Sequence, residues 1–160
     1  MRRIILFIIL MLNTALVAQD KTQETLAKFI ISDASLNGYD TTETYLEAGG
    51  YLVLYTLSDG NLYMANVMSK KETQSFGRLY SLEHKKIKET EENYEADVFN
   101  YKWRYINSYD TNKGTASVQL IKIYKPQGVT FKIKIIPENL NVLIYKGYME
   151  GTLNLNKYLD

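Results

Sequence analysis

The strongest constraint on the fold is a set of short segments in the C-terminal half in which apolar and polar residues alternate. The clearest is VTFKIKII, residues 129–136, where Val129, Phe131, Ile133 and Ile135 share one face and threonine and lysines occupy the other. A period of two residues is typical of a β-strand with one buried face. We therefore expect the apolar face of this segment to be buried and the polar face to be more exposed.

Short turn sequences separate these segments and indicate antiparallel strands. DTNKG, PQG and PENLN occur in the C-terminal half, and Asp59-Gly60 separates two apolar runs nearer the N-terminus. An Asp-Gly pair tolerates the positive φ angles of a tight hairpin. Connections this short join antiparallel neighbours. The sequence predicts six or seven strands, drawn from residues 51–57, 62–68, 76–82, 98–109, 115–125, 129–136 and 142–149.

Two of these segments, YLVLYTL at residues 51–57 and LYMANVM at residues 62–68, are apolar on both faces. Strands buried on both sides show such continuous apolar runs. We therefore expect both strands to be central and covered on each side.

The N-terminal region is predicted to contain a helix over residues 20–36. Leu26 and Phe29 have helical spacing, and Asn37-Gly38 is suited to the left-handed end of a helix. No internal repeat and no linker rich in Pro, Gly or Ser divides the chain. The predicted fold class is α+β, with the N-terminal helix packed on a curved antiparallel β-meander of six or seven strands, either open or closed into a barrel or half-barrel.

The first 18 residues have the pattern of a secretory signal peptide. Arg2 and Arg3 precede an apolar run, Ile4–Leu12, and small residues lead to Ala18. The run is shorter than the roughly 20 residues that span a bilayer as a helix. We expect cleavage after residue 18 and a single exported α+β domain of residues 19–160, located in the bacterial periplasm or outside the cell. A leader that is not removed is the alternative.

Cysteine is absent from the chain, so the domain is held together without disulfides. The roughly 140 residues that follow the leader are enough to bury a hydrophobic core. The net charge of the whole chain is only +1. A nearly neutral chain lacks the basic surface that binds nucleic acid or anionic membranes. We expect no nucleic-acid partner and no stable membrane insertion once the leader is removed.

The residue inventory also narrows the possible chemistry. His84 is the only histidine, so neither a zinc site with several His or Cys ligands nor a cysteine nucleophile is available. No P-loop or dinucleotide-binding glycine motif occurs, and we expect no metal and no cofactor. A pair of carboxylates across a cleft remains the one enzymatic route. The acidic residues considered for it are Glu43, Glu47, Glu83, Asp97, Glu138 and Glu150.

Aromatic residues recur at every second position of FNYKWRYINSYD, residues 99–110. Phe99, Tyr101, Trp103 and Tyr105 therefore share one face of a strand. Burial of each ring contributes several kcal/mol, which favours a place in the core. Because most of these rings carry polar groups, Tyr101, Trp103 and Tyr105 are also the candidate ligand-binding residues.

Four functions are compatible with these features. The leading hypothesis is a non-enzymatic exported domain that binds a small amphipathic ligand, a glycan or a protein partner through a face rich in Tyr and Trp. The alternative is a structural or assembly component of the cell envelope without a small ligand. A hydrolase with two carboxylates and an outer-membrane barrel are less favoured.

Overall fold

The computed structural model describes residues 23–88, 94–151 and 153–158, and the predicted leader lies outside these residues. In the described part the chain forms nine β-strands and one short α-helix. These are β1 (Glu24–Leu36), β2 (Tyr39–Asp40), α1 (Thr42–Glu47), β3 (Gly50–Thr56), β4 (Leu62–Met68), β5 (Thr73–Ile87), β6 (Ala96–Asn107), β7 (Lys113–Lys125), β8 (Gly128–Pro137) and β9 (Leu143–Glu150).

The strands form a closed antiparallel barrel. From β3 to β9 each strand pairs with the next one along the chain, and β1 pairs with both β3 and β9. The closing pair joins distant parts of the chain, with Phe29 opposite Met149 and Leu36 opposite Leu143. Eight long strands thus make up the described barrel. The two-residue β2 pairs antiparallel with the last residues of β1.

The predicted N-terminal helix, and with it the α+β fold class, is wrong. Glu24–Leu36 is strand β1, and Asn37 and Gly38, at φ 53° and 84°, form a hairpin turn. The half-buried Leu26 and Ile30 lie on the outer face of β1, so apolar residues occur on both faces and imitate the spacing of a helix. The inward residues Ala27, Phe29 and Ile31 are nevertheless buried in the alternation of a strand. Pairing along both edges of β1 outweighs that local signal.

The core fills the barrel interior, and the predicted faces of residues 129–136 are confirmed except at Val129, which is only half-buried. Phe131, Ile133 and Ile135 are at most 2% exposed, whereas the lysines between them are half-buried. The ring of Phe131 meets that of Phe29 edge-on at 4.8 Å between centroids. The other fully buried large side chains are Leu52, Leu54, Met64, Val118, Leu120 and Leu155.

Helix α1 closes one end of the barrel. The Tyr45 hydroxyl donates a hydrogen bond of 2.7 Å to Asn66 Oδ1, and Asn66 Nδ2 donates one of 3.2 Å to the Tyr145 hydroxyl. Gly50 leaves room for the Tyr45 ring, since any Cβ there would overlap it. Buried Leu153 and Leu155 cover the opposite end. No helix of the described chain is long and apolar enough to cross a membrane.

Candidate functional site

A groove of about 690 Å³ lies on the outer face of the barrel across β3, β4, β5 and β6. This volume is within the range of about 300–1,000 Å³ that is usual for small-ligand sites. We call it the outer groove. Its described lining consists of Gln23, Tyr51, Val53, Tyr55, Leu57, Tyr63, Ala65, Val67, Gln74, Phe76, Gly77, Arg104, Tyr105, Ile106 and Lys113.

The floor of the outer groove is built from side chains on three strands. Ala65 on β4 is the register partner of Val53 on β3 and of Phe76 on β5. Its methyl group is small, and the larger neighbours leave Ala65 only 3% exposed. A small residue flanked by bulky ones produces a concave surface on a sheet face that would otherwise be convex.

Tyrosines form one wall of the groove. The rings of Tyr55 and Tyr63 are stacked at 5.6 Å between centroids. The Tyr63 hydroxyl donates a 2.6 Å hydrogen bond to Asp59 Oδ2, which lowers the pKa of Asp59 to about 2. Burial raises the pKa of Tyr55, so its hydroxyl is neutral at physiological pH. The tyrosines of this wall are uncharged, and the ionised carboxylate of Asp59 is not among the described lining.

Tyr105 borders the opposite side of the groove through the backbone of β6, and its ring lies on the inner face of that strand, packed against the core. Its register partners are two glycines, Gly77 on β5 and Gly114 on β7. A Cβ on Gly77 would overlap the backbone carbonyl of Arg104, so only glycine permits this close approach of β5 and β6. The Tyr105 ring also packs against that of Trp103, at 4.7 Å between centroids.

The charge of the groove has one sign. Arg104 and Lys113 are the charged residues among the described lining, which contains neither Asp nor Glu. Just beyond the lining, the Lys28 ammonium lies 4.8 Å from the centre of the Tyr51 ring. The groove therefore combines an apolar floor with a basic margin.

The prediction that residues 51–57 and 62–68 are covered on each side is half right. One face of each strand, including Leu52, Leu54 and Met64, lies in the barrel core. The other face of the two strands lines the outer groove, over which no described layer packs. The apolar residues on this second face are the sequence signal for the site, although the same pattern is typical of a strand buried on both sides.

The three candidate residues on β6 have different surroundings. Tyr101 and Trp103 are each 3% exposed in the barrel core, and Tyr105 is half-buried on the same inner face, where its ring packs against that core. Trp103 Nε1 donates a 3.2 Å hydrogen bond to the carbonyl oxygen of Gly77. The Tyr101 hydroxyl is buried without a hydrogen-bond partner in the part of the chain that the structure describes. The aromatic stripe is therefore mainly core.

His84 belongs to a separate polar cluster near the end that Leu155 covers. Its Nε2 lies 2.8 Å from Asp97 Oδ1, and its ring stacks on Phe99. The Tyr124 hydroxyl donates a 2.5 Å hydrogen bond to Asp97 Oδ2. Burial acts to raise the pKa of Asp97, but the hydrogen bonds from Tyr124 and His84 outweigh it and lower that pKa. The polar groups satisfy one another, which is typical of a structural cluster.

The six acidic residues considered for hydrolysis do not line the groove. Asp97 is one of them, and its lowered pKa is the opposite of what a general acid requires. Among the described residues, no group of three or more His, Cys, Asp or Glu side chains is placed to hold a metal ion.

No protein-family model, curated protein or solved structure matches this chain.

Proposed function

We propose that this protein is a non-enzymatic binding domain whose outer groove takes the apolar part of a small amphipathic ligand. The observation that carries the proposal is the concave apolar floor around Ala65, on a sheet face that no described layer covers. Concave sites lined by apolar and aromatic side chains, with a few polar groups at the margin, are typical of small-ligand sites.

The composition of the lining supports an apolar ligand over a glycan. A sugar presents many hydroxyl groups, and its site needs a comparable number of polar side chains. Here Gln23, Gln74, Arg104 and Lys113 are the non-aromatic polar side chains of the lining, and they lie among aliphatic and aromatic residues. An acyl chain or an apolar ring makes better use of this surface, because burial of apolar area is the main source of its affinity.

Closure of the barrel supports a small ligand over a purely structural role. An assembly component most readily adds a strand to a long unpaired edge. In the described part of the chain, β1 pairs with β9, and the only short edge is the two-residue β2. The envelope component without a small ligand therefore remains the second choice.

Export forms part of the same proposal and rests on the sequence of residues 1–18. The expected location is the periplasm or the extracellular space, with the leader removed. N-terminal sequencing of the protein from an envelope or culture fraction tests this. A mature chain that begins near Gln19 agrees with the proposal, and one that begins at Met1 in the cytoplasm contradicts it.

The binding proposal is tested with the neutral dye phenylnaphthylamine, whose fluorescence rises in apolar sites. The wild-type domain is expected to enhance its fluorescence in a saturable way. Ala65→Leu places a larger side chain on the groove floor and is expected to weaken binding by roughly tenfold, the equivalent of about one buried apolar side chain. Ser117→Leu, on the outer face of β7 beyond the groove, is the matched control and is expected to bind normally.

Thermal unfolding of each variant separates loss of the groove from loss of the fold. Tyr51→Ser is a second variant, because it removes a half-buried wall residue without adding volume to the floor. Weakened dye binding in folded Ala65→Leu or Tyr51→Ser supports the proposal. A wild-type domain that does not bind the dye, or two folded groove variants that bind it normally, would overturn it.

A further inference from the structure

We infer that the ligand of the outer groove is a single-chain amphiphile with an anionic head, and that Arg104 and Lys113 bind this head. The inference rests on the proposed function and specifies the ligand class for the same site. Its basis is the placement of the two cations at one side of an otherwise uncharged groove.

The two cations are close neighbours on one sheet face. Lys113 on β7 is the register partner of Ile106 on β6, and Arg104 lies two residues before Ile106 on the same outer face. Such diagonal positions on adjacent strands are about 7–8 Å apart, within reach of long side chains. A carboxylate or phosphate placed over Ile106 would therefore contact both cations.

Both cations are available to a ligand. Neither takes part in an ion pair among those found for the described residues. The Arg104 guanidinium lies 5.6 Å from the centre of the Tyr80 ring, a contact with the ring face that leaves its N–H groups able to donate hydrogen bonds. Planar guanidinium groups are suited to bidentate recognition of carboxylates and phosphates.

Two carboxylates near the Arg104 and Lys113 side of the groove are already engaged in hydrogen bonds. Glu138 Oε1 accepts a 2.5 Å hydrogen bond from the Thr115 hydroxyl. Asp110 accepts hydrogen bonds from the backbone and side-chain amides of Asn112. Both carboxylates are close enough to influence Tyr105 electrostatically, but neither lines the groove. They reduce the local positive potential without occupying the site of the head.

The apolar part of the groove extends away from these cations. From β6 to β3 the floor runs through Phe76 and Ala65 to Val53, and Tyr51 and Tyr55 lie at the far side. Three strand spacings of about 4.8 Å give a path of about 14 Å. This length is comparable to the extended hydrocarbon chain of laurate, whose head would lie at Arg104 and Lys113.

The shape of the site favours a free amphiphile over a membrane surface. Ala65 and Tyr55, at 3% and 8% exposure, lie too deep in the concavity to contact a flat bilayer. A single chain that has left the bilayer can reach them. We therefore commit to a monomeric fatty acid or a similar single-chain anion as the ligand.

Isothermal titration calorimetry with three amphiphiles of the same chain length tests the inference. The probes are laurate, dodecyl maltoside and dodecyltrimethylammonium, each below its critical micelle concentration. We expect laurate to bind roughly tenfold or more tightly than the neutral maltoside, which is the usual effect of charge-assisted hydrogen bonds. The cationic amphiphile is expected to bind most weakly.

Variants identify the residues that bind the head. Arg104→Gln combined with Lys113→Gln should weaken laurate binding by roughly tenfold and change maltoside binding less than about twofold. Lys102→Gln is the matched control, because Lys102 lies on the same strand face, outside the groove, and donates its hydrogen bond to Ser117.

Equal affinity for laurate and maltoside would overturn the inference and leave the proposed function standing. The inference also fails if laurate binding survives in the double variant, or if vesicles of anionic phospholipid bind where monomeric laurate does not. Failure of all three amphiphiles to bind would overturn both the inference and the proposed function.

Discussion

Tyr105 lies over Gly114, its register partner on β7, so closely that a Cβ on Gly114 would be 2.7 Å from the tip of the phenol ring. Gly114→Ala should therefore displace the Tyr105 ring, which is free to move because the close atoms are at the end of a side chain. We expect a loss of less than about 1 kcal/mol in the free energy of unfolding. Because this ring lies on the inner face of β6, the affinity of the outer groove for phenylnaphthylamine should stay close to that of the wild type, and dye titration beside urea denaturation checks both effects.

Gly77, the register partner of Tyr105 on β5, allows a comparison with Gly114→Ala. A Cβ on Gly77 would overlap the backbone carbonyl of Arg104, which cannot move without separating β5 from β6. Gly77→Ala should cost about 2–3 kcal/mol or more in urea denaturation. Equal stability of the two alanine variants would show that the strand spacing at Gly77 is not as close as described.

Trp103 is a core residue, and its removal should destabilise the barrel. The indole is 3% exposed, and its N–H bonds to Gly77. Trp103→Ala should lower the free energy of unfolding by about 3–5 kcal/mol. Lys102→Ala, on the outer face of the same strand, should be nearly neutral. Chemical denaturation of the pair checks this, and a Trp103→Ala protein as stable as its parent would contradict the core assignment.

Removal of the buried hydroxyl group should affect the free energy of unfolding differently at Tyr101 and at Tyr45. Tyr101→Phe deletes a buried hydroxyl that has no partner among the described residues. It should leave the free energy of unfolding unchanged or raise it by about 1 kcal/mol. Tyr45→Phe breaks the 2.7 Å hydrogen bond to Asn66 and should lower the free energy of unfolding by about 1 kcal/mol. A loss of stability in Tyr101→Phe would indicate a hydrogen bond to a bound water.

The same tyrosines predict loss of stability at alkaline pH. Burial raises the pKa of Tyr145 from 10.0 to about 12, and it also raises the pKa values of Tyr45 and Tyr101. In the unfolded chain these groups ionise near pH 10.0, so their contribution is complete below that pH and is lost as the pH rises towards 12. The urea midpoint should fall over this window. A midpoint that stays constant from about pH 9 to about pH 12 would contradict the burial of these hydroxyls.

The alternation of apolar and polar residues predicts a strand well where no irregularity interrupts it. Phe131, Ile133 and Ile135 follow one another without a bulge, and their burial agrees with the sequence pattern. In β1 the half-buried Leu26 and Ile30 lie between inward residues, so apolar residues occur on both faces and the segment imitates a helix. The two cases differ in the outer face, which is polar in β8 and partly apolar in β1.

The outer groove could not be predicted from any single segment. Val53, Ala65 and Phe76 lie on three different strands, and only the register of β3, β4 and β5 brings them together. Alternation does place Tyr101 and Tyr105 on one inner face, but it gives no sign of the glycines opposite Tyr105, which belong to other strands. Pairing between strands is the information that a local pattern lacks.

Chemical-shift mapping of the labelled domain during a titration with monomeric laurate shows directly whether the ligand occupies the outer groove. We expect saturable shifts of the groove residues, above all the Ala65 and Val53 methyl groups and the Phe76 ring, with little change at Leu120 in the core or at His84 near the covered end. Shifts concentrated at His84 and Asp97, or the absence of any saturable shift, would contradict this expectation.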